Sequence, residues 1–252
     1  MSARGPRWAI FLPVVVTVLL AGIVGVLIVV QSQKQADEVA AADAVAEAFL
    51  SDVATFRAEI AREVRGARTA DPGDLRRVLR AAVADPPVLG DASRYGTEQS
   101  VPYASARATE ETLLEPYQRL DRDLERADIG LAYIDAARDV LELRATDYVG
   151  TGVLADSTAV RSRLIPAFTT ARDRLAEVQV PVGQEELART VRDAVQYVID
   201  EATNLAESIE SNRAYSFTYS QQFSAAAAAV NDYAATVNGD LTEAINDLGE
   251  PR

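Results

Sequence analysis

Acidic side chains stand in close pairs, such as Asp121 with Asp123 and Glu185 with Glu186. Paired carboxylates can share general acid and base work or chelate calcium, but both chemistries require the oxygens to converge on one point. Side chains one or two positions apart on a helix point in different directions, so these pairs read as solvated surface charge. Gly150-Thr-Gly152-Val-Leu-Ala155 has the glycine spacing of a dinucleotide-binding loop. That loop must leave a strand in a βαβ unit, whereas here a long helical pattern precedes it, and the segment reads as a turn between helices. Aromatic residues supply the remaining candidates. Tyr215, Tyr219 and Phe223 fall four apart, a spacing that lines either a ligand or protein contact or a core, and core packing is the simpler expectation. Tyr95 and Tyr103 lie in a stretch with no apolar period, where an aromatic side chain is a candidate recognition residue.

The missing residue types narrow the chemistry further. The 252 residues include no histidine and no cysteine, which removes the commonest general base, the usual zinc and iron ligands, thiol nucleophiles and disulfides. The Glu-x-x-His pairs of di-iron helical bundles are thereby impossible. Lys34 is the only lysine and sits beside an apolar segment, so a serine-lysine pair is hard to build. No nucleophile elbow, phosphate loop or EF-hand loop occurs. No catalytic, cofactor-binding or metal-ligating residue is assigned, no cofactor is expected, and the chain is expected not to be an enzyme. The remaining enzymatic class, a hydrolase working with carboxylates alone, would need two acids facing each other across a cleft.

The elements that position these residues begin with an unbroken apolar run from Trp8 to Val30. Its 23 residues would make about 34 Å of helix, enough to cross a hydrocarbon core of about 30 Å. The run is too long for the core of a cleaved signal peptide, and it reads as an uncleaved transmembrane signal anchor. Arg4 and Arg7 precede it while Lys34 is followed by Asp37 and Glu38, which places residues 1–7 in the cytoplasm as a short tail. Residues 31–252 then form an extracytoplasmic domain of net charge −15, because Arg4 and Arg7 are the only charges before it in a chain of net −13. Acidity of that order disfavours nucleic acid and anionic membrane surfaces as partners of the domain. Arginine in place of lysine, with abundant alanine and valine, fits a high-GC bacterial genome.

Past the anchor, apolar residues recur every three or four positions. Val39, Ala42, Ala46, Phe49, Val53, Phe56 and Ile60 form one stripe, with no proline or glycine to separate it from the apolar run. A short helix should follow, capped by Asp71 with Pro72 at its first position and ended by Pro86 and Pro87. Residues 85–108 read as a long loop. Thr112-Leu-Leu-Glu115 fits a capping box for a long helix that Gly150 and Gly152 would end, and Asp156 or Ser157 can cap a fourth helix bent at Pro166. From Glu185 one helix is expected to continue through Tyr219 to Asn238-Gly239, because no glycine or proline intervenes, with a break around Tyr215–Tyr219 as the alternative. A short helix from Leu241 to Leu248 would close the chain.

The fold expected is all-α, an N-terminal single transmembrane helix followed by an elongated antiparallel helical bundle with coiled-coil-like packing. The function expected is that of a single-pass protein of the bacterial cytoplasmic membrane, held through residues 8–30, whose extracytoplasmic domain is a scaffold or accessory module for another envelope protein. Ala21 and Gly25 supply a small-xxx-small pair that could support a homo-oligomer. The layout also resembles the extracytoplasmic helical-bundle sensors of bacterial receptors, which implies a ligand-binding or sensory module working through a separate membrane partner. No second apolar run follows the bundle to return it to the cytoplasm.

Overall fold

The computed structural model describes residues 11–67, 70–152, 154 and 156–248, with side chains from residue 31 onward. All regular structure among the described residues is helical: α1 (Phe11–Gly66), α2 (Pro72–Ala82), α3 (Arg94–Gln99), α4 (Val101–Thr112), α5 (Glu115–Leu141), α6 (Thr146–Val149), a π turn (Val160–Leu164), α7 (Ile165–Glu177), α8 (Glu185–Glu210) and α9 (Ser220–Asp247). The chain divides into two compact units, one of Met1–Glu59 with Val83–Glu115, the other of Ile60–Ala82 with Pro116–Arg252. Among the described residues no helix is long and apolar enough to cross a membrane. The tail at 1–7 lies outside the described residues, as do the side chains of the expected span at 8–30.

In the first unit the α1 stripe is buried as its spacing requires, with Ala42 and Ala46 fully enclosed and Phe49, Val53 and Phe56 nearly so. The expected loop at 85–108 is corrected: its second half is helical, and only the stretch up to Ser93 is irregular. Serine, rather than proline or glycine, sets these boundaries. Ser93 Oγ accepts from the Gly96 amide at 3.1 Å and Ser100 Oγ from the Tyr103 amide at 3.0 Å, each satisfying an N-terminal amide that the new helix leaves without a partner. Both caps also reach α1. Ser93 donates to Glu38 at 3.2 Å, and the buried Ser100 donates to Asp43 at 2.5 Å. Close approach is permitted by Gly96, where a Cβ would stand 2.4 Å from the Glu38 carbonyl oxygen and 3.0 Å from the Ala42 methyl.

The second unit is built on one continuous core drawn from α5, α7, α8 and α9 and the π turn. Val191, Val195 and Val198 of α8 are completely buried, each contributing roughly 1.5–3 kcal/mol through removal of its side chain from water. Alanine seams run through the same core, at Ala137 on α5, Ala202 and Ala206 on α8 and Ala226 on α9. Of the run Ala225–Ala229 only Ala226 is buried. The cap of α2 is as expected, Asp71 Oδ1 accepting from the Asp74 amide at 2.8 Å with Pro72 opening the helix. Pro166 does disturb its helix. The missing amide is accommodated by the π turn just before it, in which the Ile165 amide bonds the Val160 carbonyl five residues back.

Four expected boundaries are corrected. Thr112 does not cap α5; it is the last residue of α4, and its hydroxyl donates back to the Ala108 carbonyl at 3.1 Å. Helix α5 stops at Leu141 rather than Gly150, and the Ala145 amide is taken by the Tyr219 hydroxyl at 2.9 Å. The helix expected from 185 to 238 is divided at Asn212, whose φ of 53° is the left-handed conformation that closes a helix end. There the Arg213 amide bonds the Ser208 carbonyl at 2.8 Å and the Asn212 amide bonds Ile209 at 3.0 Å, the paired contacts of a Schellman ending. Gly239, by contrast, lies within α9, which continues to Asp247.

Candidate interaction cleft

The five aromatic candidates separate into different surroundings. Tyr95 on α3 is 36% exposed, whereas Tyr103 on α4 is buried and donates its hydroxyl to the Gly90 carbonyl at 3.0 Å. Tyr103 thus closes the irregular stretch onto its own unit. In the second unit Tyr219 and Phe223 meet edge to face with centroids 5.0 Å apart, and both contact Phe168. Tyr148 meets Phe168 edge to face with centroids 6.2 Å apart, and Phe217 lies 5.4 Å from Tyr219. Phe168 and Phe223 belong to the buried core, and Tyr148, Phe217 and Tyr219 are half-buried against it. Tyr215 precedes α9, so the four-residue spacing does not carry it into the stack; it stays 37% exposed, its hydroxyl pushed up chiefly by desolvation and then by Glu201.

A cleft of about 500 Å³ opens elsewhere in the second unit. Its walls are α5 from Asp123 to Ile129, the connection from Gln179 to Gln184, and the last turns of α9 from Tyr233 to Asp247. Tyr233, Val237, Leu241 and Ala244 follow the helical period, so one edge of the α9 stripe faces the cleft while Val237 and Leu241 remain mostly buried. Tyr233 is admitted by Gly130 on α5, where a Cβ would stand 2.8 Å from the tyrosine hydroxyl. Burial, followed by the Asp240 charge, raises the Tyr233 hydroxyl above its ordinary value.

Charge in the cleft is unevenly distributed. On the α5 wall Arg126 and Asp123 neutralise each other at 2.9 Å. On the α9 wall Asp240 and Glu243 are exposed three residues apart, on the same side of one helix. Glycosidase carboxylates face each other across the sugar. Here the acid facing these two is already held by an arginine.

The acids singled out for chemistry take structural roles. Asp121 binds Arg80 at 2.8 and 3.0 Å and Arg76 at 3.0 and 3.3 Å, joining α2 to α5. Those two guanidinium groups, Arg80 first, hold the Asp121 carboxyl down to about 2. Asp123 points to Arg126 instead, and Glu186 pairs with Arg189 at 2.8 Å. Gly150, with φ of 78°, ends α6 and follows a helix, not a strand. Among the described residues no three carboxylates gather in a way that could hold a metal ion. Local spacing carries no direct sign of the cleft, because Tyr233 and Val237 fall on the helical apolar register of α9 and Asp240 and Glu243 are two of many acidic residues along the chain. Comparison with known protein families, with curated proteins and with solved structures finds no match for this chain.

Proposed function

We propose that this chain is a non-enzymatic, single-pass protein of the cytoplasmic membrane, anchored by residues 8–30 with its N-terminus inside, whose extracytoplasmic helices scaffold another envelope protein. The observation that carries this reading is the continuity of α1. Its 56 residues carry positions 11–30 of the apolar run and the buried Ala42–Val64 stripe on one helix, about 84 Å long at 1.5 Å per residue. A helix without a break couples the position of the bundle to that of the anchor, which suits a protein that holds a partner at a fixed place beside the membrane. Exposed Val88, Tyr95 and Val101 in the first unit add apolar contact surface.

Chemical cross-linking of the full-length protein in its native membrane, followed by mild detergent capture and mass spectrometry, tests the reading. A stoichiometric second protein joined to residues 31–252 is expected. Links confined to copies of this chain, or none, would refute it. Protease added to intact cells should cut within residues 31–252; protection until the membrane is ruptured would reverse the orientation. A ligand-binding or sensory module working through a separate membrane partner is the second reading; the volume of the cleft, though not its open acidic rim, is that of a small-molecule site.

A further inference from the structure

We infer that the cleft between α5, the 179–184 connection and the end of α9 is the seat of a cationic amphipathic helix supplied by the envelope partner. This deepens the scaffold reading and rests on it. Three properties of the cleft select that occupant. The contact stripe on α9 from Tyr233 to Ala244 spans twelve residues, about 17 Å from first to last, the length of a three-turn helix. Its lip carries Val182, 90% exposed, where an apolar side chain of a docked helix would remove it from water. Asp240 and Glu243 flank the apolar stripe and form no ion pair among the described residues, while the one arginine lining the cleft is matched by Asp123.

Exposed carboxylates on a rim distinguish this arrangement from a small-molecule pocket, which encloses its ligand and fixes it with a few buried polar groups. A partner helix with leucine-like residues on one face and lysine or arginine beside them would place its apolar face on the half-buried Tyr233 and Ala244 and the exposed Val182, and its charges against Asp240 and Glu243. The docked helix would thus be read by its charge as well as by its apolar spacing. The domain's net charge of −15 attracts such a segment before contact, and that attraction weakens with salt.

The test places a photo-cross-linking amino acid at position 182 or 236 of the full-length chain in its native membrane, with positions 88 and 101 of the first unit as comparison sites. Adducts at 182 and 236 should sequence to a segment with helical apolar spacing and net positive charge. The double variant Asp240→Asn, Glu243→Gln should lower their yield about fivefold, as should a change from about 0.05 to 0.5 M salt. Adducts to a neutral or acidic segment, or a yield indifferent to the double variant, would overturn the inference. Adducts at 88 or 101 without any at 182 and 236 would also overturn it, yet leave the scaffold reading intact. No protein adduct at any of the four positions would remove both.

Discussion

The same substitution, glycine to alanine, should act in opposite directions at Gly96 and Gly239. At Gly96 the added methyl would lie 2.4 Å from the backbone oxygen of Glu38, with Ala42 Cβ at 3.0 Å and Ser93 Oγ at 3.1 Å. An ordinary carbon-to-oxygen contact is nearly 1 Å longer, and the obstructing atom belongs to the backbone of α1, which cannot swing aside. Relief requires α3 to move outward, and that movement pulls on the Ser93 cap. Overpacking costs about 1–3 kcal/mol and a weakened cap about 1 kcal/mol, against about 1 kcal/mol regained from alanine's higher helix propensity. The net expectation is about 2 kcal/mol of destabilisation. At Gly239 nothing lies within 4 Å of the new methyl and the residue is inside α9, so only the propensity gain of about 1 kcal/mol remains. Hydrogen exchange of the full-length protein in mild detergent reads both sites. Amides of Thr97 and Ser100, which bond Ser93 and Gly96, should exchange about thirtyfold faster in Gly96→Ala, and amides around 239 about fivefold slower in Gly239→Ala. Unchanged or slower exchange at 97 and 100 in Gly96→Ala would refute the proposed contact between α3 and α1.

Three further outcomes follow from particular groups. Tyr133 is 1% exposed and its hydroxyl has no hydrogen-bond partner among the described residues, so Tyr133→Phe should raise stability by about 1 kcal/mol in thermal unfolding; a loss would mean the hydroxyl is satisfied. Asp121 titrates below its ordinary 3.8, so its contribution is complete above about pH 4 and is lost as pH falls through about 2; discounted for solvent screening it is about 1 kcal/mol. Unfolding midpoints of the native protein and Asp121→Asn should therefore differ at pH 5 and converge near pH 2. Asn212→Ala should cost about 1 kcal/mol because of its positive φ, whereas Asn212→Gly should be neutral or better, as judged by exchange in the last turn of α8.

Much of the helical layout is legible because it rests on local rules. The α1 stripe, the Asp71-Pro72 start of α2 and the disturbance at Pro166 each depend on spacing or on one backbone amide. Errors arise where a boundary is made by a residue weaker than glycine or proline. Ser93 and Ser100 start helices in a segment read as loop, and Asn212 ends α8 in a stretch read as continuous because neither glycine nor proline is present. Gly239 misleads in the opposite sense, since surrounding helix and packing outweigh about 1 kcal/mol of unfavourable propensity. The early end of α5 accompanies a distant partner, Tyr219, seventy-four residues away in sequence from the Ala145 amide it accepts. The cleft was illegible for the same reason. Its acidic wall, its paired arginine and its exposed valine come from three elements, and nothing in local spacing brings them together.

Twelve of the forty buried apolar residues among those described are alanine. Such seams restrict sequence drift from both sides. Ala202 and Ala206 are fully buried, so a larger residue at either would overpack the core and push helices apart, while glycine weakens the helix that carries it. Positions of this kind should change little as the exposed faces of the same helices diverge. Over long separation the descendants of this protein would keep a ladder of small residues through their helices, and that ladder would outlast any likeness between their surfaces.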